Sequence, residues 1–370
     1  MASKREKTVA LVQTQAENAG AQEIARQLAA GFEERGWRTR QIFFYRRTES
    51  FDRDSNVFFC AASRPSSPIG ALRLLGALYG ELRRAKPDVV VTLQHYGNIV
   101  AAPVAKLAGA RVIANQLSAP EVIPRGVALL DKILGTLGAY DRIVVNSTQT
   151  ATAYRAYPEP YARRIAHFAH GFKDKSVSLS KSEARSRVGL PQDVTLLGCA
   201  ARLHPLKQLD CAIGLLSENT DQHLALAGQG GDLARLKDLA QSLGVLQRVH
   251  FLGELDAAGM GALLAALDCF VFPSAAESFG LAPVEAAQAG VPVVANDIPI
   301  LREVLSVEGA PCALFVDARD QASFARSVRR VLDDVPLRAT LTTLGRRLRQ
   351  RYPLERMLDE YAKLLEETFA

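Results

Sequence analysis

The chain has 370 residues, 48% hydrophobic and 23% charged, a balance that builds about two ordinary globular domains and excludes disordered, collagen-like and disulfide-stapled classes. No apolar run approaches the roughly 18 residues of a membrane-spanning helix, and the opening MASKREKTVALVQT lacks a leader's apolar core, so the protein is expected to be cytoplasmic, at most peripheral at the inner face of a membrane. The net charge of +6 is uneven, +10 over residues 1–175 against −4 over residues 176–370; the basic half suits anionic lipid or an anionic small molecule, whereas zinc-finger spacings and aromatic RNA-binding signatures are absent and no nucleic-acid partner is expected.

In chain order, short apolar strands alternate with helical patterns, twice over. TVALVQ, TRQIFFY, DVVVTL, ARVIAN and DRIVVN form the first series, with AQEIARQLAAGFEERG and IGALRLLGALYGELRRAK among the intervening helices. VTLLGCA, HLALAG, RVHFLG, CFVFP, VPVVAN and CALFV form the second. Such alternation predicts parallel sheets covered on both faces, hence an α/β chain of two doubly wound Rossmann-like domains facing a cleft. The expected division is a first domain over residues 1–172, a polar linker over 173–189, a second domain over 190–352, and a C-terminal helix over 353–370 that packs back on the first domain. Leu354, Met357, Leu358, Tyr361, Leu364 and Leu365 give that helix one apolar face. The five scattered cysteines read as small core residues.

Ligands of such sheets bind at the carboxyl ends of the strands, so the loops there carry the chemistry. After LLGCA, ARLHPLK brings Arg202 and Lys207 into one turn, a pair suited to a diphosphate and equally to solvent. LAGQGGDLARL places Gly228, Gly230 and Gly231 before a helix, where backbone can approach a ligand, without the dinucleotide G-x-G-x-x-G spacing. In FPSAAESFGLAPVEAAQAGVPVVAND, strand gives way to a loop and then to a helix with Pro283 in its first turn. The amides around Phe279, Gly280 and Leu281 then lie at a helix N-terminus that attracts phosphate. Glu277 precedes that turn, and Glu285 stands inside the helix, where a carboxylate can accept the hydroxyls of a ribose.

The stretch ESFGLAPVE, with LGCAARLHPLKQLD, LALAGQGG and RVHFLGEL before it in the same order, resembles the Glu-x7-Glu signature of GT-B-fold retaining glycosyltransferases of the group 1, or family 4-like, type. The first half resembles that family more loosely, through QAENAGAQEIARQLAAGFEERGW and RIAHFAHGF. The resemblance implies that Arg202 and Lys207 bind the diphosphate, Glu285 the ribose, and the amides at Gly280 and Leu281 the distal phosphate and sugar. It implies contact of Glu277 with the transferred sugar, of backbone near Leu252 with the base, and of Gly20 with the phosphates. Such enzymes need no metal and no cofactor. Asp52 and Asp54 in FDRDS then read as surface, and His167 and His170 as structural. The sequence departs from the family at Ala201 and Gln208, where glycine is usual, and at Asn115 and Gln116, where histidine is frequent; His95 is the candidate catalytic histidine instead.

The expected activity is transfer of a hexose from a UDP- or GDP-sugar to a saccharide or lipid-linked acceptor, in glycan, polysaccharide or lipopolysaccharide synthesis of bacterial type. A nucleotide-sugar epimerase, a sugar phosphorylase or a noncatalytic nucleotide-sugar binder on the same fold is the alternative. The acceptor, and an anionic membrane surface, are expected on the basic half. Aromatic and aliphatic residues lie there among Arg46, Arg47, Arg53, Arg73, Arg83 and Arg84.

Overall fold

The computed structural model describes residues 7–17, 20–52, 54–218 and 220–369; Arg53 of the basic stretch lies outside them. The chain divides into two units, one reaching Gly171 and taking in the segment from Leu354, the other spanning Phe172–Pro353.

The first unit contains strands β1 (Thr8–Ala16), β2 (Arg38–Arg46), β3 (Val57–Ala61), β4 (Val89–Leu93), β5 (Arg111–Gln116), β6 (Arg142–Val145) and β7 (Ile165–His167). They form one sheet in the order β3-β2-β1-β4-β5-β6-β7, parallel at every pairing. Its helices are α1 (Gly20–Glu34), α2 (Pro68–Ala85), α3 (His95–Leu107), α4 (Arg125–Thr136), α5 (Thr148–Arg155) and α6 (Glu159–Ala162). Two strands escape the sequence reading. β3 is half-buried throughout and carries no alternation, and β7 has only three residues.

Local chemistry fixes these elements. Ser67 caps α2 through Gly70 N, with Pro68 as the first helical residue, and Ser147 caps α5 through Thr150 N. On α2, Leu74, Leu78 and Leu82 recur at helical spacing and are buried against Val12, Ile42 and Val90, each such side chain contributing about 1.5–3 kcal/mol. The Phe43 and Phe51 rings pack in a tilted pair with centroids 4.7 Å apart and are buried with Ala16. Phe43, Phe44 and Phe51 of FFYRRTESF thus serve as core rather than as an interfacial surface.

The C-terminal helix, Leu354–Phe369, packs within this first unit. Leu358 fills the space above Gly31, where an added Cβ would come within 2.5 Å of it. Arg35 pairs with Asp359 at 2.6 Å, and the Tyr361 hydroxyl donates to the Asn115 side chain.

The second unit continues with α7 (Lys181–Arg187), β8 (Thr195–Ala200), α8 (Leu209–Glu218), β9 (Gln222–Ala227), α9 (Leu233–Ser242), β10 (Val249–Gly253), α10 (Ala257–Ala266), β11 (Cys269–Phe272), α11 (Leu281–Ala289), β12 (Val293–Asn296), α12 (Pro299–Val304), a hairpin of β13 (Ser306–Val307) and β14 (Ala310–Pro311), β15 (Leu314–Val316), α13 (Gln321–Asp333) and α14 (Val335–Arg351). The main sheet runs β10-β9-β8-β11-β12-β15, again parallel throughout. Helix α7 lies within the stretch read as linker and is closed by a capping box between Ser180 and Glu183. Cys199 and Cys269 are buried, and burial pushes their thiols up to about 12, consistent with inert core residues. Both units are therefore doubly wound and Rossmann-like.

Candidate active site

Strand order reverses in the second sheet between β8 and β11, and the loops after these two strands flank the crevice where such sheets bind ligands. Both loops are the ones singled out in the sequence. They are fastened together: Ala275 N donates to Leu206 O at 2.9 Å, Ser274 is fully buried, and its hydroxyl donates to the same carbonyl at 3.4 Å. Across the join, Lys207 Nζ donates to Glu277 Oε1 at 2.6 Å, with both side chains largely shielded from solvent. Lys207 and Glu277, the residues that the sequence resemblance assigns to phosphate and sugar, thus sit in contact.

Arg202 is exposed two residues beyond β8. Between it and α8, residues Pro205–Lys207 make one turn of 3-10 helix, capped by His204 through Leu206 N. Gln208 follows with φ 48°, a left-handed conformation that costs a residue with a Cβ about 1–2 kcal/mol. This accounts for the glycine usual there in the family the sequence resembles. In the orientation that satisfies its amide, Gln208 donates to Pro273 O at 2.8 Å and accepts from Arg319 Nε at 2.7 Å, contacts that offset the strain.

Gly228 and Gly230 have an internal reason for being glycine. A Cβ at Gly228, whose φ is 130°, would lie 2.0 Å from Ala201 O, and one at Gly230 would lie 2.1 Å from Leu203 O. Leu203 N donates to Gln229 O at 2.9 Å. The close approach is therefore to the Arg202 loop itself, which these glycines allow the β9 loop to support. Leu252, half-buried at the end of β10, lines an open cavity of about 460 Å³ with Arg187, Leu255 and Asp256.

Gly280 precedes α11 with φ 86°, as the tight entry into the helix requires. Phe279 is buried and packs against Phe172 at 5.8 Å and Tyr352 at 5.3 Å, so its backbone, not its ring, is what a ligand can meet. Leu281 opens the helix, whose first amides lack intrahelical acceptors and favour anions. Glu285, one turn in, is buried, and its Oε1 accepts from Lys175 Nζ at 2.6 Å. Lys175 was hidden in the polar linker and escaped the sequence reading; only a charge facing the second glutamate of ESFGLAPVE betrays it.

In the first unit the strand order reverses between β1 and β4. Gly20 starts α1 after β1, and His95 starts α3 after β4. Burial lowers the His95 pKa, which favours a neutral imidazole at neutral pH. Gln94 just before it has φ 68° and ψ 151°, a region almost confined to glycine. Asn115 and Gln116 lie inside the protein. Asn98 Nδ2 donates to Gln116 Oε1 at 3.1 Å, and Gln116 Nε2 donates to Asp131 Oδ1 at 2.7 Å. Tyr140 and Tyr161 also donate to Asp131, at 2.8 and 2.9 Å. Desolvation raises the Asp131 pKa. His170 is buried beside Asn146 Nδ2 at 2.9 Å, and His167 is exposed. Asp52 pairs with Arg46 at 3.1 Å. Among the described residues no three His, Cys, Asp or Glu side chains are grouped as metal ligands.

Residues 180–348 match the model of the family described as Glycosyl transferases group 1. D-inositol 3-phosphate glycosyltransferase 1 of Catenulispora acidiphila is 32% identical over 307 residues, 75% of this chain and 72% of that protein. The lipopolysaccharide core biosynthesis mannosyltransferase LpsB of Rhizobium meliloti is 30% identical over 216 residues, 55% of this chain and 59% of that one. Other relatives are matched over less than half of their own length. The solved structure of Anabaena Alr3699/HepE in complex with UDP and glucose shares the fold, with a TM-score of 0.84 and 20% identity over 98% of this chain and 100% of that one. Taken with the Glu277 and Glu285 constellation at the β8–β11 switch point, these matches show that the chain belongs to the group 1 glycosyl transferases.

Proposed function

We propose that the protein transfers a hexose with retention of configuration, without a metal, from a nucleoside-diphosphate sugar to a saccharide or lipid-linked acceptor. The observation that carries this reading is the Lys207–Glu277 contact across the switch point. Lys207, taken as the phosphate ligand, and Glu277, taken as the sugar ligand, are joined by one hydrogen bond, a spacing that suits a donor's adjacent diphosphate and sugar. UDP is the preferred nucleotide, on the analogy of HepE bound to UDP and glucose; GDP is the second choice. Arg202, Lys207 and the α11 amides bind the diphosphate, Glu285 the ribose, and backbone near Leu252 the base. Gly20 and His95 are proposed as first-unit ligands of phosphate and sugar.

Reaction breaks the bond from the anomeric carbon to the phosphate oxygen, leaving positive charge on the sugar and new negative charge on the diphosphate. Fixed donors at that oxygen supply most of the stabilisation. The acceptor hydroxyl then bonds to the same face of the anomeric carbon and passes its proton to the leaving phosphate. Glu277 orients the sugar and stabilises its cationic character. Release of nucleoside diphosphate from a panel of nucleotide sugars tests the reading: a changed sugar without release marks an epimerase, and binding alone marks a noncatalytic binder.

The acceptor reading extends to a membrane surface on the first unit. Ile69 and Leu72 on α2 are 64% and 68% exposed, and Leu129 and Ile133 on α4 are 58% and 44% exposed. Arg73, Arg83 and Arg125 are exposed on the same two helices, whose acidic residues, Glu81 and Asp131, are buried. Apolar side chains with cations and without exposed acids fit an anionic interface, each cation contributing about 1 kcal/mol. Among the described residues no helix is long and apolar enough to cross a membrane. Sedimentation with phosphatidylglycerol-containing vesicles at low salt should capture the protein in proportion to anionic content, and Leu129→Ser with Ile133→Ser should weaken capture. Equal recovery with neutral vesicles would contradict it.

A further inference from the structure

We infer that Lys175 is the positioning residue of the ribose site. It holds the Glu285 carboxylate in the orientation that receives the two ribose hydroxyls. The inference rests on the reading of Glu285 as the ribose ligand and extends it to a residue outside the family match at 180–348.

Lys175 does not reach Glu285 as a loose surface side chain. Its segment is strapped over the end of α11 by successive contacts. Phe172 N donates to Tyr352 O at 3.0 Å, and the Phe172 ring packs on Phe279, immediately ahead of the Gly280 turn. Asp174 pairs with Arg349 on α14 at 3.2 Å. The backbone of Lys175 presses on α10 so closely that a Cβ at Gly261 would stand 2.5 Å from Lys175 O. The main chain is thereby fixed on either side of the lysine, and the ammonium meets Glu285 with 14% and 9% of the two side chains exposed.

An exposed ion pair would carry little meaning, because solvent screens it and side-chain freedom opposes it. A shielded pair differs. Without Lys175 the Glu285 carboxylate would lose a charge-assisted bond of 2.6 Å in a poorly solvated place and would be drawn toward water. That reorientation costs the ribose its acceptor, since the two oxygens then no longer face the hydroxyls that would donate to them. An ammonium is a suitable clamp. It fixes one oxygen by a charge-assisted bond and leaves the carboxylate plane set by α11 and the strap together.

Calorimetric titration of the full chain with UDP, 2′-deoxy-UDP and pyrophosphate tests this. The wild type is expected to prefer UDP to 2′-deoxy-UDP. Lys175→Met should weaken UDP by about 10-fold, leave pyrophosphate within about 2-fold, and bring the UDP to 2′-deoxy-UDP ratio toward one. Lys175→Arg, which keeps the charge on a different geometry, should give an intermediate ratio, and it decides the matter if the methionine variant does not fold. A ratio unchanged from wild type, or parallel loss of pyrophosphate, overturns the inference while the nucleotide site stands. Failure of the wild type to bind any of the three overturns the reading of the site, and this inference with it.

Discussion

Glu277→Gln is expected to lower kcat for sugar transfer by about 100- to 1,000-fold while leaving nucleoside-diphosphate affinity within a few-fold of wild type. Glutamine keeps an oxygen for Lys207 Nζ, now 2.6 Å from Glu277 Oε1, so the loop after β11 stays joined to the loop after β8. The change removes the negative charge proposed to face the developing positive charge on the sugar. It also releases Lys207 from a carboxylate that competes with phosphate for the ammonium, so affinity should hold or tighten. Steady-state transfer rates beside calorimetric titration of UDP separate the effects. A parallel fall of affinity and rate would mean that Glu277 serves the nucleotide, and the assignment of this residue to the sugar would be lost.

The second large effect falls on stability. Gly228→Ala should destabilise the second unit by about 3 kcal/mol or more, because its Cβ would lie 2.0 Å from Ala201 O and the backbone has φ 130°. The loop bearing that carbonyl is itself tied on both sides, since Ala201 N donates to Ala227 O at 3.0 Å and Leu203 N to Gln229 O at 2.9 Å. Relief must come from moving the β9 loop off the Arg202 loop, which loosens the phosphate turn as well. Gly231→Ala supplies the contrast. Nothing lies within 4 Å of its added Cβ, and its cost should stay within about 0.5 kcal/mol. Urea unfolding of the two variants decides the matter. Equal midpoints would mean that the loops are not packed as described.

Much of the fold was legible because parallel strands buried on both faces read as short apolar runs, and all eleven such runs proposed from the sequence are strands. The two missed strands of the first sheet mark the limit. β3 lies at the sheet edge and is half-buried, so its VFFCA looked like exposed aromatic surface, and three-residue β7 has no periodicity to detect. The loop residues Arg202, Lys207, Glu277 and Glu285 were singled out through the resemblance of their loops to the family signature, since spacing alone reads equally as solvated surface charge. What was not legible is long-range pairing. That each glutamate meets a lysine, 70 and 110 residues away, depends on how loops fold over the sheet. The glycines of GQGG show a related limit. Their pattern was read as room for a ligand, whereas the space beside Gly228 and Gly230 is occupied by neighbouring backbone.

The turn after β8 is proposed to grip a diphosphate whose sugar lies at Glu277. The most direct measurement is release of nucleoside diphosphate from UDP-glucose and GDP-mannose, with chelator present throughout, by wild type and by Lys207→Ala. Wild type should release it slowly from at least one of these donors, undiminished by chelator. Lys207→Ala should release at least about 100-fold less, with affinity lost for the diphosphate and retained for the bare nucleoside. Release that stops with chelator and returns with magnesium, or a Lys207→Ala variant as active as wild type, would contradict the proposal.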